Sequence, residues 1–364
     1  MTTIYLIRHG QAEGNLYRRC HSWHNGLLTI KGREQVKALE KRFEGVHIDA
    51  VYSSDLYRAM STAGAIYRPR GLTLRTDPGL REIGAGVWED TPWGQILHEH
   101  RESLSAFLAC DPAWQVQGSE TFPQVRARVA SSLRRIAAAH PDQTVAAVSH
   151  GCAIRAGLSA FLGLDAADMG QLPLPNNTGV AKLIAEGDSF QVEYYNDDIH
   201  LSSDDRWLYP AARSNTGSGI HGMERNALYF RPICLPQEQD LYLTACREAG
   251  IRSYNFLLNE PDSLLLALLG DRPVGILQLD RTKEAELSAG WITLLWMVPE
   301  FCGKKLAVQL LGNAVCTYRS MGRQTLRVAC PPEHEPLRKF CLSHGFAALD
   351  GQPDVLEKYI GLEL

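Results

Sequence analysis

Long apolar runs are scarce in this chain. The longest, such as Trp291 to Val298 (WITLLWMV), fall well short of the roughly 18 residues that a membrane-spanning helix needs, so no membrane partner is expected. A basic excess is also lacking. Lys and Arg total 37 against 41 Asp and Glu, a formal net charge of −4, so the charge balance gives no support for a nucleic-acid partner. Cysteine is dispersed: the nine residues are an odd count, and no two stand within four positions of each other. That argues against a zinc ribbon and against a disulfide framework, and it points to reduced thiols. The first residues, MTTIYLIRHG, show neither a charged n-region nor an apolar h-region. No signal peptide is therefore expected, and the cytoplasm is the expected location.

What is present is an ordinary globular composition, 364 residues with 45% hydrophobic and 21% charged side chains, a length that fits about two domains. Composition shifts over residues 196–225, where a polar stretch contains the flexible run SNTGSG. This predicts a domain over residues 1–203, a linker over 204–224 and a second domain over 225–364. The pairs Asp197-Asp198 and Asp204-Asp205 read as solvated charge.

Up to residue 203, strand-like and helix-like patterns alternate. Thr3–Ile7, Asp49–Tyr52 and Thr144–Val148 read as buried strands. Gly32–Phe43, Leu56–Tyr67, Thr121–Ala139 and Ala153–Leu162 read as helices. The expected class is α/β with a parallel-type sheet, whose site lies beyond the carboxyl ends of the strands. The second part predicts a mixed α/β domain with central antiparallel strands. Its expected strands are Leu228–Arg231, Ser263–Leu268, Val274–Leu279, Trp291–Val298, Thr325–Ala329 and Leu356–Ile360. Its helices are Gln237–Glu248, Lys304–Tyr318 and Glu335–Ser343.

Two strands end in histidines, within Arg8-His9-Gly10 and Ser149-His150-Gly151. If those strands are neighbours, both imidazoles face one crevice. Arg58 opens a helix, where free N–H groups favour an anion, and Leu80-Arg81-Glu82-Ile83 offers a carboxyl group. These types support phosphoryl transfer through a histidine. A neutral imidazole attacks phosphorus. Arg8, Arg58 and a protonated His150 would neutralise the transferring group, and Glu82 would protonate the leaving alcohol. A lone RHG is uninformative. RHG, SSDLYRA, LREIGAGVWE and SHG in this order, each at a strand end or helix start, carry much more.

Residues 2–203 resemble the histidine phosphatase superfamily, in its phosphoglycerate-mutase-like branch. The marks are TIYLIRHGQAEGN, LLTIKGREQ, VYSSDLYRAMSTA, LREIGAGVWED, GSETFPQVRARV, VAAVSHGCAIR, NNTGV and a closing HL. The resemblance implies an α/β/α sandwich, a phosphohistidine on His9, and a phosphate pocket of Arg8, Asn15, Arg58, His150 and Gly151. Glu82 takes the place of the proton donor, and no cofactor is implied. Two departures stand at the pocket rim. Asp90 replaces a usual Gly, and His21 and His24 occupy a loop that usually carries a Gln and a variable residue. Nothing near these histidines in sequence completes a ligand set, so no metal is expected. The stretch between Glu82 and His150 is shorter than the resemblance implies for mutases. A phosphatase acting on a small phosphorylated metabolite is expected, with a phosphomutase as the alternative.

In the second part, a hydrophobic strand ends at Val298-Pro299, and a turn with Gly303, Lys304 and Lys305 precedes an amphipathic helix. An unpaired strand end can receive an extended ligand, and a helix start can receive a pyrophosphate. Residues 225–364 resemble the GNAT acyltransferase family. The marks are NALYFRPICLPQEQDLYLTACREAG, LLALLGDRPVGILQL, WITLLWMVPEFCGKKLAVQLLGNAV and EPLRKFCLSHGF. The resemblance implies a GNAT-like fold that binds acetyl-CoA against Leu295, Trp296 and Met297 and against Gly303, Lys304, Lys305, Leu306, Ala307 and Val308. It implies an amine acceptor as well. Cys302, Lys305, His334 and Cys341 depart from the family pattern, and Cys341 stands where a general acid is usual. The second domain is thus expected to be an acetyltransferase or a CoA-binding module that regulates the phosphatase. The fusion suggests that both parts act on one metabolite.

Overall fold

The structure, a computed structural model, describes residues 1–203, 218–251, 263–332 and 334–362. In chain order the first part comprises β1 (Thr2–Arg8), α1 (Glu13–Tyr17), α2 (Ile30–Phe43), β2 (Ala50–Ser53), α3 (Tyr57–Tyr67) and β3 (Leu74–Thr76). It continues through α4 (Trp93–Glu99), α5 (Arg101–Ala109), α6 (Phe122–Ala139), β4 (Thr144–Ser149), α7 (Gly151–Phe161), β5 (Val180–Glu186) and β6 (Ser189–Asp197).

Strand periodicity sorts the side chains of β1. Ile4 and Leu6 pack toward α6 and α7, with Val145 and Ala147 of β4. Ile7 packs the other way with Ala146, Val148, Leu39, Phe43, Ala63 and Ile66. The sheet is therefore covered on both faces, in the expected sandwich. Each such Val, Ile, Leu or Phe side chain, fully buried, is worth roughly 1.5–3 kcal/mol. The strand order is β3-β2-β4-β1-β5-β6, with β1, β2, β3 and β4 parallel and β5 and β6 antiparallel at one edge. α6 opens with a Thr121/Gln124 capping box and a proline in its first turn. Its buried Val125, Val129, Leu133 and Ile136 form the expected face.

The expected linker has two fates. Residues 204–217 lie outside the described ones. The remainder forms α8 (Ser218–Glu224), and Met223 is buried in the first part's core with Leu104 and Phe122. That end of the predicted linker is thus structured, because its apolar residues cover α4 and α5.

The second part comprises β7 (Tyr229–Pro232), α9 (Gln239–Glu248), β8 (Leu264–Leu269), β9 (Arg272–Asp280), β10 (Ala289–Met297), α10 (Ala307–Ser320), β11 (Thr325–Ala329), α11 (Glu335–Ser343), β12 (Ala347–Leu349) and β13 (Gln352–Tyr359). Its sheet runs β12-β13-β11-β10-β9-β8-β7. All pairings are antiparallel except β10 with β11, which are joined through α10. β10 and β11 pair only over Ala289–Ile292. A bulge follows, and Leu294–Met297 pair with β9 alone.

The two parts interlock. Tyr17 of α1 belongs to the second part's core. Gly312 of α10 lies so close that a Cβ there would fall 2.3 Å from the Tyr17 Cβ. Arg319 of α10 reaches Glu13 of α1 with N–O distances of 2.9 and 3.0 Å.

Candidate active site

Strand register places both histidines. β1 and β4 are neighbours with Arg8 opposite Ser149, so His9 and His150 leave the sheet side by side. Their ring centroids are 5.1 Å apart. β2, on the other side of β4, ends at Ser53, and the chain turns through Ser54-Asp55 into α3. That brings Arg58, in the first turn of α3, to the same end of the sheet. A cavity of about 910 Å³ lies there, and Arg8, His9, Asn15, Arg58, Glu82 and Gly151 are among its lining residues. His150 is fully buried behind them. The predicted pocket residues are thus brought together.

Backbone contacts set each group's chemistry. His9 Nδ1 lies 2.7 Å from the Gly10 carbonyl oxygen, which assigns the proton to Nδ1 and leaves the Nε2 lone pair free. Burial, then the charges of Arg58 and Arg8, hold the His9 pKa well below the usual histidine value. The imidazole is therefore held neutral. His150 is pushed the same way by burial and by Arg58, and neither of its ring nitrogens has a hydrogen-bond partner. Burial beside these cations disfavours the expected protonated form of His150, which therefore needs an anion close by to draw the proton on.

Arg58 is 2% exposed. Its guanidinium donates to the carbonyls of Ser22 (2.7 Å) and His24 (3.1 Å), and burial draws its pKa down to about 10. It remains a cation at neutral pH. Arg8 donates to the Pro175 carbonyl at 2.5 Å. Asn15 Oδ1 accepts from the Ala12 N–H at 3.0 Å and faces Asn177 Nδ2 at 3.4 Å, so the Asn15 amide nitrogen is left as its donor. Glu82 sits at the start of α7. Its Oε1 accepts from the N–H groups of Ile83 (3.0 Å) and Ala153 (2.8 Å), and its Oε2 accepts from Cys152 (3.0 Å).

Several supports were not legible in the sequence as such. Arg128 donates to the carbonyls of Gly79 (3.1 Å), Arg81 (2.7 Å) and Glu82 (2.7 Å), pinning the segment that carries Glu82. Glu89 accepts from the N–H groups of Trp23 and His24, both at 2.9 Å, and so holds the loop that holds Arg58. Asn177 donates to the His9 carbonyl at 3.0 Å. All three lie inside the quoted motifs, which was the available signal. Ile220, Met223 and Asn226, from the end of the expected linker and just after it, line the cavity wall.

The rim departures also have a geometry. Asp90 has φ +52°, the left-handed region that favours the glycine usual there. It accepts from Arg19 Nε at 2.7 Å and lies 3.0 Å from His21 Nε2.

In the second part, Cys302, Gly303, Lys304 and Lys305 form an exposed turn before α10. Gly303 and Lys305 have φ of +77° and +59°. Leu295 and Ala307 are half-buried, Trp296 and Met297 are 9% exposed, and Leu306 and Val308 are core residues. Cys341 is a correction. It is 2% exposed among the core residues of this sheet, and burial pushes its thiol up to about 12. A thiol so enclosed, with its pKa raised, is a poor proton donor.

Comparison with known proteins gives the following. The sequence model of the histidine phosphatase superfamily (branch 1) matches residues 4–198. The chain is 29% identical over 165 residues to phosphoserine phosphatase 1 of Hydrogenobacter thermophilus, covering 45% of this chain and 78% of that protein. It is 31% identical over 176 residues to a probable phosphoglycerate mutase of Yersinia pestis, covering 48% of this chain and 82% of that protein. Among solved structures, the Bacillus stearothermophilus protein YhfR aligns with a TM-score of 0.53 at 30% identity, over 55% of this chain and 99% of that one. A mycobacterial glucosyl-3-phosphoglycerate phosphatase aligns with a TM-score of 0.50 at 27% identity, over 53% and 98%.

Proposed function

The chain belongs to the histidine phosphatase superfamily, and from that premise we propose that it is a phosphatase that hydrolyses small phosphomonoesters through a phosphohistidine on His9. The observation that carries the reading is the neutral His9, its tautomer set by Gly10, at an end of the sheet shared with His150 and flanked by Arg8 and Arg58. His9 Nε2 attacks phosphorus as the bond to the leaving oxygen breaks. Arg8, Arg58 and Asn15 bind the equatorial oxygens. The dianionic phosphoryl group draws a proton onto His150, one of whose ring N–H groups then donates to it. Glu82 Oε2, with one N–H bond against two at Oε1, has room to carry the proton that the leaving alcohol takes. Water then attacks the phosphohistidine, and Glu82 accepts the proton back.

The substrate class follows from the rest of the cavity. Arg155 lines it; its Nη1 lies 2.9 Å from the Cys110 sulfur, and its buried Nε has no hydrogen-bond partner among the described residues. A second acidic group on the substrate would satisfy it. The relatives named for phosphoserine and for glucosyl-3-phosphoglycerate fit that class. A panel of phosphomonoesters with and without a second acidic group, read by released phosphate, tests this. Equal kcat/KM for both sets would remove the substrate claim. Turnover that required a phosphorylated primer would favour the mutase reading.

The lowered pKa of His9 makes a pH prediction. A histidine ordinarily gains its proton near pH 6.5. Here the folded state resists protonation. The stabilisation from neutral His9 is full above that pH and is lost as the pH falls from there toward the depressed value. In activity, the acid limb of kcat/KM, corrected for substrate ionisation, should lie clearly below pH 6.5. A limb centred at or above pH 6.5 would contradict the neutral, buried nucleophile.

For the second part we propose a GNAT-like domain that binds acetyl-CoA. Three observations support the reading. They are the order β7-β8-β9-β10-β11 with a parallel last pair, the bulged β10 left without a partner among the described residues on its β11 side beyond Ile292, and the left-handed backbone at Lys305, where the resembled family has glycine. The backbone of Leu295–Met297 would hold the pantetheine arm, and the turn at Gly303, Lys304 and Lys305 would hold the pyrophosphate. When bound, acetyl-CoA supplies an activated acyl group for an amine. Binding of acetyl-CoA with release of free CoA on amines would support an acetyltransferase. Binding without release would support the regulatory module, and no binding would end the reading.

A further inference from the structure

At the rim of the cavity, side chains distant in sequence come together. One ligand atom from each of His21, His24 and Asp90 lies within 4.8 Å of the other two. The two histidines alone were no metal site in the sequence, because the third group lies in the loop before α4.

The hydrogen bonding around this cluster is incomplete. Asp90 Oδ1 is engaged by Arg19 Nε (2.7 Å), His21 Nε2 (3.0 Å) and the Cys316 thiol (3.5 Å). Among the described residues no group hydrogen-bonds to Asp90 Oδ2, and His24 Nε2 lies 3.8 Å from it. His24 Nε2 is itself buried and without a hydrogen-bond partner. Two potential ligand atoms thus face each other too far apart to bond. That separation is within what one ion at about 2.0–2.2 Å from each can bridge.

We propose that His21, His24 and Asp90 form a binding site for a zinc-type divalent cation, separate from the phosphoryl chemistry. Two imidazoles and one carboxylate suit Zn²⁺, Co²⁺ or Ni²⁺ and not Ca²⁺ or Mg²⁺, which need more oxygen ligands. Water would complete the set, and His24, one-third exposed, leaves the ion a route from solvent. Arg19 on Oδ1 competes for the same carboxylate and weakens the site, so Oδ2 is the oxygen assigned to the metal. Binding has a consequence for the pocket. The carbonyls of Ser22 and His24 hold the Arg58 guanidinium. An ion joining His21, His24 and Asp90 would pin the loop that carries them.

The test is equilibrium dialysis of the untagged full chain against Zn²⁺, with Co²⁺ as a spectroscopic stand-in. One Zn²⁺ per chain is expected, and bound Co²⁺ should show the visible bands of a low-coordinate nitrogen and oxygen site without thiolate charge transfer. Since disturbing only an outer-shell partner costs 10–100-fold, losing a ligand in His24→Ala should weaken Zn²⁺ binding at least about 100-fold. Cys234→Ser/Cys302→Ser, which removes the two exposed thiols, should bind as the wild type does. Circular dichroism of the metal-free His24→Ala chain checks its fold, and His24→Gln must give the same loss. Absence of stoichiometric Zn²⁺ in the wild type, wild-type affinity in both His24 variants, or a thiolate band would each overturn the proposal.

Discussion

Replacing His9 by alanine is expected to lower kcat toward a model phosphomonoester by at least about 10⁴-fold, the scale on which a removed nucleophile acts. The same variant should bind inorganic phosphate nearly as the parent does. The guanidinium groups of Arg8 and Arg58 are anchored on the carbonyls of Pro175, Ser22 and His24, none of which involves the His9 ring. His9 itself is held by its backbone, through its N–H to Ser149 and its carbonyl to Asn177, so alanine keeps the local fold. A large loss in kcat with phosphate affinity retained separates a nucleophile from a structural histidine. Wild-type turnover by the variant would remove the proposed mechanism.

The second large effect lies where the two parts meet. Arg319→Ala is expected to destabilise the protein by about 3–5 kcal/mol, the cost of leaving a buried charge without its partner. The Arg319 and Glu13 side chains are 9% and 7% exposed. Glu13 Oε2 also accepts from the Leu27 N–H at 3.0 Å, so it cannot turn outward without breaking a second bond. The pH dependence gives the sign. Burial tends to raise the Glu13 pKa, and the charge and hydrogen bond of Arg319 more than offset this, so it sits below the usual 4.5. The stabilisation from the pair is full above that value and is lost as the pH falls through the depressed pKa. Without Arg319, burial raises the Glu13 pKa instead. The stability gap between the two proteins, read from urea midpoints, should therefore narrow from neutral pH toward pH 4. Adding Glu13→Gln to Arg319→Ala should recover part of the loss. A gap under about 1 kcal/mol at neutral pH, or one independent of pH, would show that the pair does not hold the parts together.

How far the sequence was readable depended on what each residue contacts. Strands such as Thr144–Ser149 announce themselves, because a strand covered on both faces must be apolar throughout. The β5–β6 hairpin lies outside the expected strands, although Gly187 in its turn has φ +58° and the flanking segments carry strand-like residues. α4 and α5 were missed too: they are short, and of α5 only Leu104 is fully buried. His9, His150 and Arg58 could be placed because their chemistry follows from standing at strand ends and a helix start. The roles of Arg128 and Glu89 could not. They act by bonding backbone groups of segments distant in sequence, and backbone donors and acceptors look alike in every residue. Asp90 was visible only as a departure. Its partners Arg19, His21 and Cys316 meet it through folding alone, and Cys316 comes from the other part of the chain.

The central claim is a covalent phosphorus–nitrogen bond on His9, and the most direct measurement is to trap it. The enzyme would be mixed briefly with a ³²P-labelled phosphomonoester, quenched in alkali and digested, and the labelled peptide sequenced. The account predicts label that is stable to alkali and labile to acid, on the peptide containing Arg8-His9-Gly10, and absent from His9→Ala. Label on another residue, acid-stable label, or turnover with no trapped label on His9 at any quench time would contradict it.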